Sequence, residues 1–314
     1  MQKRKKPDET KEGIKSMKVL HYVIILSFSI FLNTTLAKDQ DALYQIYKNA
    51  RATNNYIAPD KKEFIQAHDL FKSLFTHKDI SPQLEQTIKD LNFRIIKLSL
   101  NQKNLLILAE EKTHQTGRGF YIFWQDKMAQ DVLQMPHSQK DLYTGEIGLS
   151  LFVEGNFAAG AWNTTARYYS QDGKKISADL ADFSQSYFIA FSKAFALCHS
   201  QGYIIQLHGF SSQKRKTQTG KKSGFIISSG SWKHDRPLSK LDQCVEQKFS
   251  TKSSLYSFEI NELGGTQNTI GIALRQMGHR GFVHLEINRS IRKKLLKSQS
   301  MREKLLKCIE GMRL

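Results

Sequence analysis

Between Asp39 and about Lys97 apolar residues recur at helical spacing. Leu43, Ile46 and Tyr47 fall on one helical face, and Phe64, Ala67, Leu70 and Phe71 on another. Ser81-Pro82 supplies an N-cap followed by a first-turn proline, and the helix it opens places Leu84, Ile88, Leu91, Phe93 and Ile95 in a run toward Leu98. No polar constellation at catalytic spacing interrupts this stretch, so residues 38–100 are expected to form a small helical region that serves packing or partner contact. From Asn101 the texture changes to short apolar runs bounded by Gly, Asn, Asp and Ser. Strands are predicted over Leu105–Ala109, Gly119–Trp124, Val132–Met135, Phe157–Trp162, Tyr203–Leu207, Phe225–Ser228, Leu255–Ile260 and Gly281–Ile287. Helices are predicted over Gly148–Phe152, Phe183–Leu197, Leu238–Phe249, Thr269–Met277 and a basic Ile291–Ile309. Strands alternating with helices define an α/β domain over residues 101–314, with a mostly parallel or mixed sheet flanked by helices. The polar run Gln213–Lys222 is expected to be an exposed loop.

Charge changes the picture at the N-terminus first. The 314-residue chain carries 47 Lys+Arg against 29 Asp+Glu, a net charge of +18. Residues 3–6 are Lys-Arg-Lys-Lys, and an apolar stretch from Val19 to Leu32 follows, ending near small residues at Thr35-Leu36-Ala37. This order matches a secretory signal peptide over residues 1–37. The stretch falls short of the roughly 20 residues that a membrane span needs, although an uncleaved anchor is the alternative. The chain is therefore expected to be exported, periplasmic or secreted. The remaining positive charge concentrates in Gln213–Lys222, with five basic residues and no acid, and in the final helix from Arg289. In an envelope of anionic polymers such charge favours an acidic substrate or surface over nucleic acid, for which no recognition motif is present. Three cysteines, Cys198, Cys244 and Cys308, allow one bridge and one thiol in an oxidising compartment. None sits in a C-x-x-C spacing, which argues against a zinc knuckle or redox pair.

Candidate chemistry gathers where polar residues follow strands, since open α/β sheets bind ligands beyond the carboxyl ends of their strands. His137 and Asp141 lie four apart after Val132–Met135, a spacing that lets imidazole and carboxylate converge on a tight turn; the alternative is Asp141 as a helix cap. His208-Gly209 follows Tyr203–Leu207. In Val283-His284-Leu285-Glu286-Ile287, alternation puts His284 and Glu286 on one face, and a Glu near the end of an apolar strand is costly to bury without a partner or a role. Arg289 and Arg292 follow, able to pair with Glu286 or to hold an anionic group. Together these ends supply His137, Asp141 and His208 as three metal ligands and Glu286 as a carboxylate base.

The segments His137 to Gly145, Leu207-His208-Gly209 and Leu285 to Arg292 resemble the three site motifs of zinc carboxypeptidase-like amidohydrolases, with the phage-type poly-γ-glutamate hydrolases and the N-formylglutamate amidohydrolases as the branches most similar. The likeness runs in order from about Leu105 to Leu296. It implies a phosphorylase/hydrolase-like, zinc-carboxypeptidase-type fold, zinc held by His137, Asp141 and His208, and Glu286 as general base and acid. It also implies that Arg292, with Arg167, holds a substrate carboxylate or polarises the carbonyl. The loop Leu263 to Asn268 resembles one that precedes the last helix and strand in such proteins. Two departures stand out. The first carboxylate is Asp where the family has Glu, and its spacing from the His differs, which makes Glu146 the reserve ligand. The expected activity is hydrolysis of an amide in an acidic peptide or N-acyl amino acid, with cell-wall peptide as one expected source. The alternative is a non-catalytic protein that binds ligand or envelope polymer on the same scaffold. His199, His234 and His279 sit among polar neighbours and are expected to be exposed, and His114 precedes a Gly-rich turn with no partner in sequence. Ser138 and Ser211 lack a G-x-S-x-G setting, and no phosphate-binding G-x-x-x-x-G-K-[ST] occurs.

Overall fold

The computed structural model describes residues 40–51, 56–76, 79–100, 102–126, 128–171, 174–233 and 235–313. Residues 1–37, expected to be a signal peptide, and His234 lie outside the described residues. Three helices lead in: α1 (40–50), α2 (Lys61–Thr76) and α3 (Pro82–Asp90), the last capped by the Ser81 hydroxyl, which accepts from the Leu84 N–H. The chain then forms β1 (Phe93–Leu100), β2 (Lys103–Glu110), β3 (Phe120–Trp124), β4 (Val132–Met135), α4 (Thr144–Glu154), β5 (Ala159–Trp162) and the hairpin β6 (Tyr168–Gln171)–β7 (Lys174–Ser177). There follow α5 (Tyr187–Cys198), β8 (Ile204–Phe210), the short α6 (Gln218–Lys222), β9 (Phe225–Ser228), α7 (Arg236–Phe249), β10 (Ser253–Leu255), α8 (Thr269–Gln276), β11 (Phe282–Asn288), α9 (Arg289–Lys297) and α10 (Gln299–Glu310).

Among the described residues nine strands form one sheet in the order β1-β2-β3-β5-β4-β8-β11-β9-β10. Its centre, β5-β4-β8-β11, is parallel, and antiparallel pairs extend it through β3, β2 and β1 on one side and β9 on the other. The expected mixed α/β architecture is therefore the observed one. Strand alternation divides the core between the two faces. Leu105, Ile107, Leu207, Val283 and Leu285 pack with residues of α1, α4, α7, α9 and α10, whereas Leu106, Leu108 and Ile204 pack with α2, α5 and α8. Tyr47 of α1 packs against Trp162, and α2 packs on α5 through Phe71 and Phe191, so the leading helices are built into both cores.

Several elements depart from the sequence reading. Phe93–Leu100, expected to continue a helix, is strand β1, paired with β2 over its whole length. Asn92 takes a left-handed backbone (φ 66°) that ends α3, and a short apolar run cannot be assigned by periodicity alone. Strand β10 stops at Leu255, because Ser257 (φ 69°) turns the chain where Leu255–Ile260 was expected to stay extended. The closing helix divides at Ser298, whose hydroxyl caps α10 by accepting from the Met301 N–H. Gln213–Lys222 is exposed over most of its length, as expected, but it holds α6 and is pinned by Glu262, which accepts from the Lys216 and Thr217 N–H groups. His279 is buried at 5% exposure, not exposed, because the tight turn after α8 folds its ring against Phe195. His114 is exposed and His199 half-buried. Cys244 and Cys308 form a disulfide joining α7 to α10, and Cys198 is free.

Candidate metal centre

At the middle of the parallel sheet one face is polar. Parallel register sets Glu286 beside His208 and His284 beside Gln206, and Gln134 lies across from Gln206 on β4. Alternation puts these side chains on the face covered by α5 and α8, while their apolar neighbours fill the opposite core.

His137 and Asp141 reach the same point from a single turn after β4. The Asp141 N–H donates to the His137 carbonyl at 2.8 Å, which stacks the two side chains one above the other. Asp141 does not cap α4; the capping position belongs to Tyr143, and the Asp141 carboxylate points inward instead. Its Oδ2 lies 3.4 Å from His137 Nδ1 and 3.6 Å from His208 Nδ1, and the two Nδ1 atoms are 3.1 Å apart. Oδ2 also accepts the Gly209 N–H at 2.9 Å. The reserve ligand Glu146 lies elsewhere, beside Arg51 on the far side of α4's first turn.

This triangle of donor atoms fits a metal ion. Tetrahedral zinc with nitrogen and oxygen bonds of about 2.0–2.1 Å places its ligand atoms about 3.3–3.4 Å apart, which falls within the observed 3.1–3.6 Å edges. His137 Nε2 meets Asp179 Oδ1 at 2.7 Å, and Asp179 is held in turn by Arg167 and by the Ala181 N–H. A carboxylate behind a ligating imidazole is the usual outer shell of such a site. Asp179, at 1% exposure, has no clear sequence signal: an acid in the run Ser177 to Asp182, after an unpredicted hairpin, sits at no predicted strand end.

The electrostatics follow the same geometry. Burial opposes charge on His137, but the hydrogen bonds and charges of Asp141 and Asp179 outweigh it and push its pKa up to about 9. Burial would also raise Asp141, yet the two imidazoles hold it well below the usual carboxylate range. Asp179 is lowered to about 2, its burial outweighed by His137 and Arg167. His208 is lowered to about 4 by burial and by the neighbouring His284, so it stays neutral with a lone pair to offer.

Glu286 and His284 complete the cluster. Glu286 Oε1 lies 3.5 Å from His284 Nε2, and its Oε2 is buried with no hydrogen-bond partner among the described residues. The His284 ring packs on that of His208 with centroids 4.1 Å apart. On its other side lies Gly265, whose left-handed φ of 61° and absent Cβ are both required, since a Cβ there would fall 2.8 Å from the His284 ring. Gly209 is needed for a similar reason: a Cβ would collide with the Arg292 guanidinium. Arg292 lines the site, but its two Nη groups donate to the Leu142 and Phe210 carbonyls. Arg167 is engaged with Asp179 and Arg215 with Glu262. Arg289, Lys140 and Lys214 also line the site and are exposed, with no ion pair among the described residues. Apart from Glu262, these groups border an open cavity of about 780 Å³, bounded also by the loop Leu263 to Asn268.

No protein-family model matches the chain, and no curated protein does. Among solved structures the chain is similar to the LapA aminopeptidase of Legionella pneumophila, at 9% identity over 90% of this chain and 73% of that one, with a TM-score of 0.37. It is also similar to a candidate metallopeptidase from Shewanella denitrificans, at 10% identity over 78% of this chain and 89% of that one, with a TM-score of 0.33. Such distant likeness leaves the site's own geometry to carry the functional reading.

Proposed function

We propose that the protein is an exported metal-dependent amide hydrolase that uses zinc and acts on an acidic peptide or N-acyl amino acid. The observation that carries this reading is the triangle of His137 Nδ1, His208 Nδ1 and Asp141 Oδ2 at edges of 3.1–3.6 Å, opening onto a cavity beside an unpartnered carboxylate oxygen of Glu286. Bound zinc would supply Lewis acidity to polarise an amide carbonyl and activate water. The chain supplies the rest. Glu286 Oε2, free of hydrogen bonds, is positioned to take a proton from water and return it to the leaving amine. Asp179 and Arg167 hold the His137 ring. Arg292 braces Leu142 and Phe210, either side of the cavity, and keeps a buried cation behind the site. Lys140, Lys214 and Arg289, uncommitted within the described fold, are the groups suited to a substrate carboxylate. The Cys244–Cys308 bridge accords with an oxidising compartment and so supports export.

The test is to purify the protein, measure its metal content and hydrolysis of γ-glutamyl and N-acyl amino acid substrates, and replace His208 and Glu286 separately. His208→Ala is expected to lose the metal. Glu286→Gln is expected to keep it and to lose about 10²-fold or more in kcat, the usual contribution of a general base. Full activity and metal content in both variants would overturn the assignment.

A further inference from the structure

Behind His208 a chain of buried side chains crosses the sheet, and its direction is set at both ends by the main chain. At one end the Ser192 hydroxyl donates to the Phe188 carbonyl (2.7 Å) within α5, which leaves its oxygen to accept from Gln134 Nε2 (2.8 Å). At the other end Asn268 caps α8: its Oδ1 accepts from the Ile270 and Gly271 N–H groups, so its Nδ2 must donate, and it donates to Gln206 Oε1 at 2.8 Å. Between them Gln206 Nε2 donates to Gln134 Oε1 at 2.9 Å. Gln134 and Gln206 are fully buried, and Ser192 and Asn268 nearly so, which makes any reversed link costly. Gln206 Oε1 can then only accept. It lies 3.2 Å from His208 Nε2, so the imidazole hydrogen belongs on Nε2 and the lone pair on Nδ1, the atom that faces His137 and Asp141.

We infer that Ser192, Gln134, Gln206 and Asn268 form a directional hydrogen-bond chain that fixes the ring orientation and tautomer of His208, with Gln206 as the positioning residue. The purpose of the chain rests on the metal reading above; its geometry does not. The chain's hydrogen bond to the candidate ligands is the one from Gln206 to His208, so its effect is on metal affinity and ring state.

The decisive variant is Asn268→Asp. A carboxylate caps α8 as well as the amide does, but it replaces the donor that faces Gln206 with an acceptor. Gln206 must then turn its amide group to donate to it, Gln134 must follow, and the Ser192 hydroxyl must swing from Phe188 to Gln134. His208 Nε2 now faces a donor, and its hydrogen moves to Nδ1, where it blocks the metal point. Two readouts apply to the whole protein: the histidine tautomer in the metal-free state, from long-range ¹H–¹⁵N correlation spectra, and zinc affinity, from competition with a chromophoric chelator. The expected result is an Nε2–H signature for His208 in the native protein, its shift to Nδ1–H in Asn268→Asp, and a 10–100-fold loss of zinc affinity, the scale of outer-shell effects. Gln206→Leu, which removes the acceptor, should lose affinity to a similar extent. An unchanged Nε2–H signature and unchanged zinc affinity in Asn268→Asp would overturn the inference. A tautomer switch in a protein that binds no zinc would uphold the chain and remove the metal reading instead.

Discussion

At the scale of single residues, the site is organised by what stands behind each ligand. His137 and His208 each present Nδ1 to the same point, because Nε2 is taken by Asp179 in one case and by Gln206 in the other. Asp179 is the more telling partner, being a buried carboxylate that also neutralises Arg167. Asp179→Asn keeps an oxygen that can accept from His137 but removes the charge that makes the ring a stronger donor. Zinc affinity should fall about 10–100-fold while the fold is retained, as titration with a competing chelator would measure. Equal affinity in variant and native protein would leave Asp179 with no part in the metal centre. The sequence made His137, Asp141, His208 and Glu286 visible because each lies at a strand end with an ionisable side chain in an apolar setting. It gave no comparable signal for Asp179, Gln134 or Gln206, since a polar residue inside a strand or after an unpredicted hairpin gains meaning only from what lies across the sheet.

At the scale of elements, most strands and helices follow from hydrophobic pattern, and three of the departures share a cause. Where β1, the end of β10 and the break at Ser298 departed from pattern, one residue's backbone or cap decided the matter: Asn92, Ser257 and Ser298. The basic segment around α6 shows how such a local contact can be tested. Burial favours the protonated form of Glu262, but the N–H groups of Lys216 and Thr217, the Thr217 hydroxyl and Arg215 outweigh it and lower its pKa to about 2. A carboxyl lowered on folding contributes stability that is present above its unfolded pKa of about 4.3 and is lost as pH falls toward the folded value. Residues 213–222 should therefore gain amide exchange and protease sensitivity between about pH 4.5 and pH 2. Glu262→Gln should show the looser behaviour already at neutral pH and lose the pH dependence; a pH response identical to that of the native protein would show that Glu262 does not hold the segment.

At the scale of the whole molecule, the disulfide and the helices it joins close the face of the sheet opposite the candidate metal centre. Cys244 and Cys308 are 64 residues apart, and the loop they close corresponds to about 4 kcal/mol of unfolded-state entropy in the chain model. Cys244→Ser with Cys308→Ser should lower the thermal midpoint by several degrees and leave metal affinity near native, because Cys308 belongs to the core on the other side of the sheet. A midpoint unchanged by both substitutions would mean that the bridge does not stabilise the fold. The sequence by itself determined the alternating α/β order, the polar strand ends and the basic excess, because hydrophobic periodicity, turn residues and formal charge are local properties of the chain. The tertiary structure alone decided that His137, Asp141 and His208 share one point, that Arg167 meets Asp179 and Arg292 donates to main-chain carbonyls, and that Gln206, Gln134 and Asn268 are hydrogen-bonded behind His208. Each of these depends on strand order and parallel register, which bring together residues about 40 to 150 positions apart and which hydrophobic patterning along the chain does not encode.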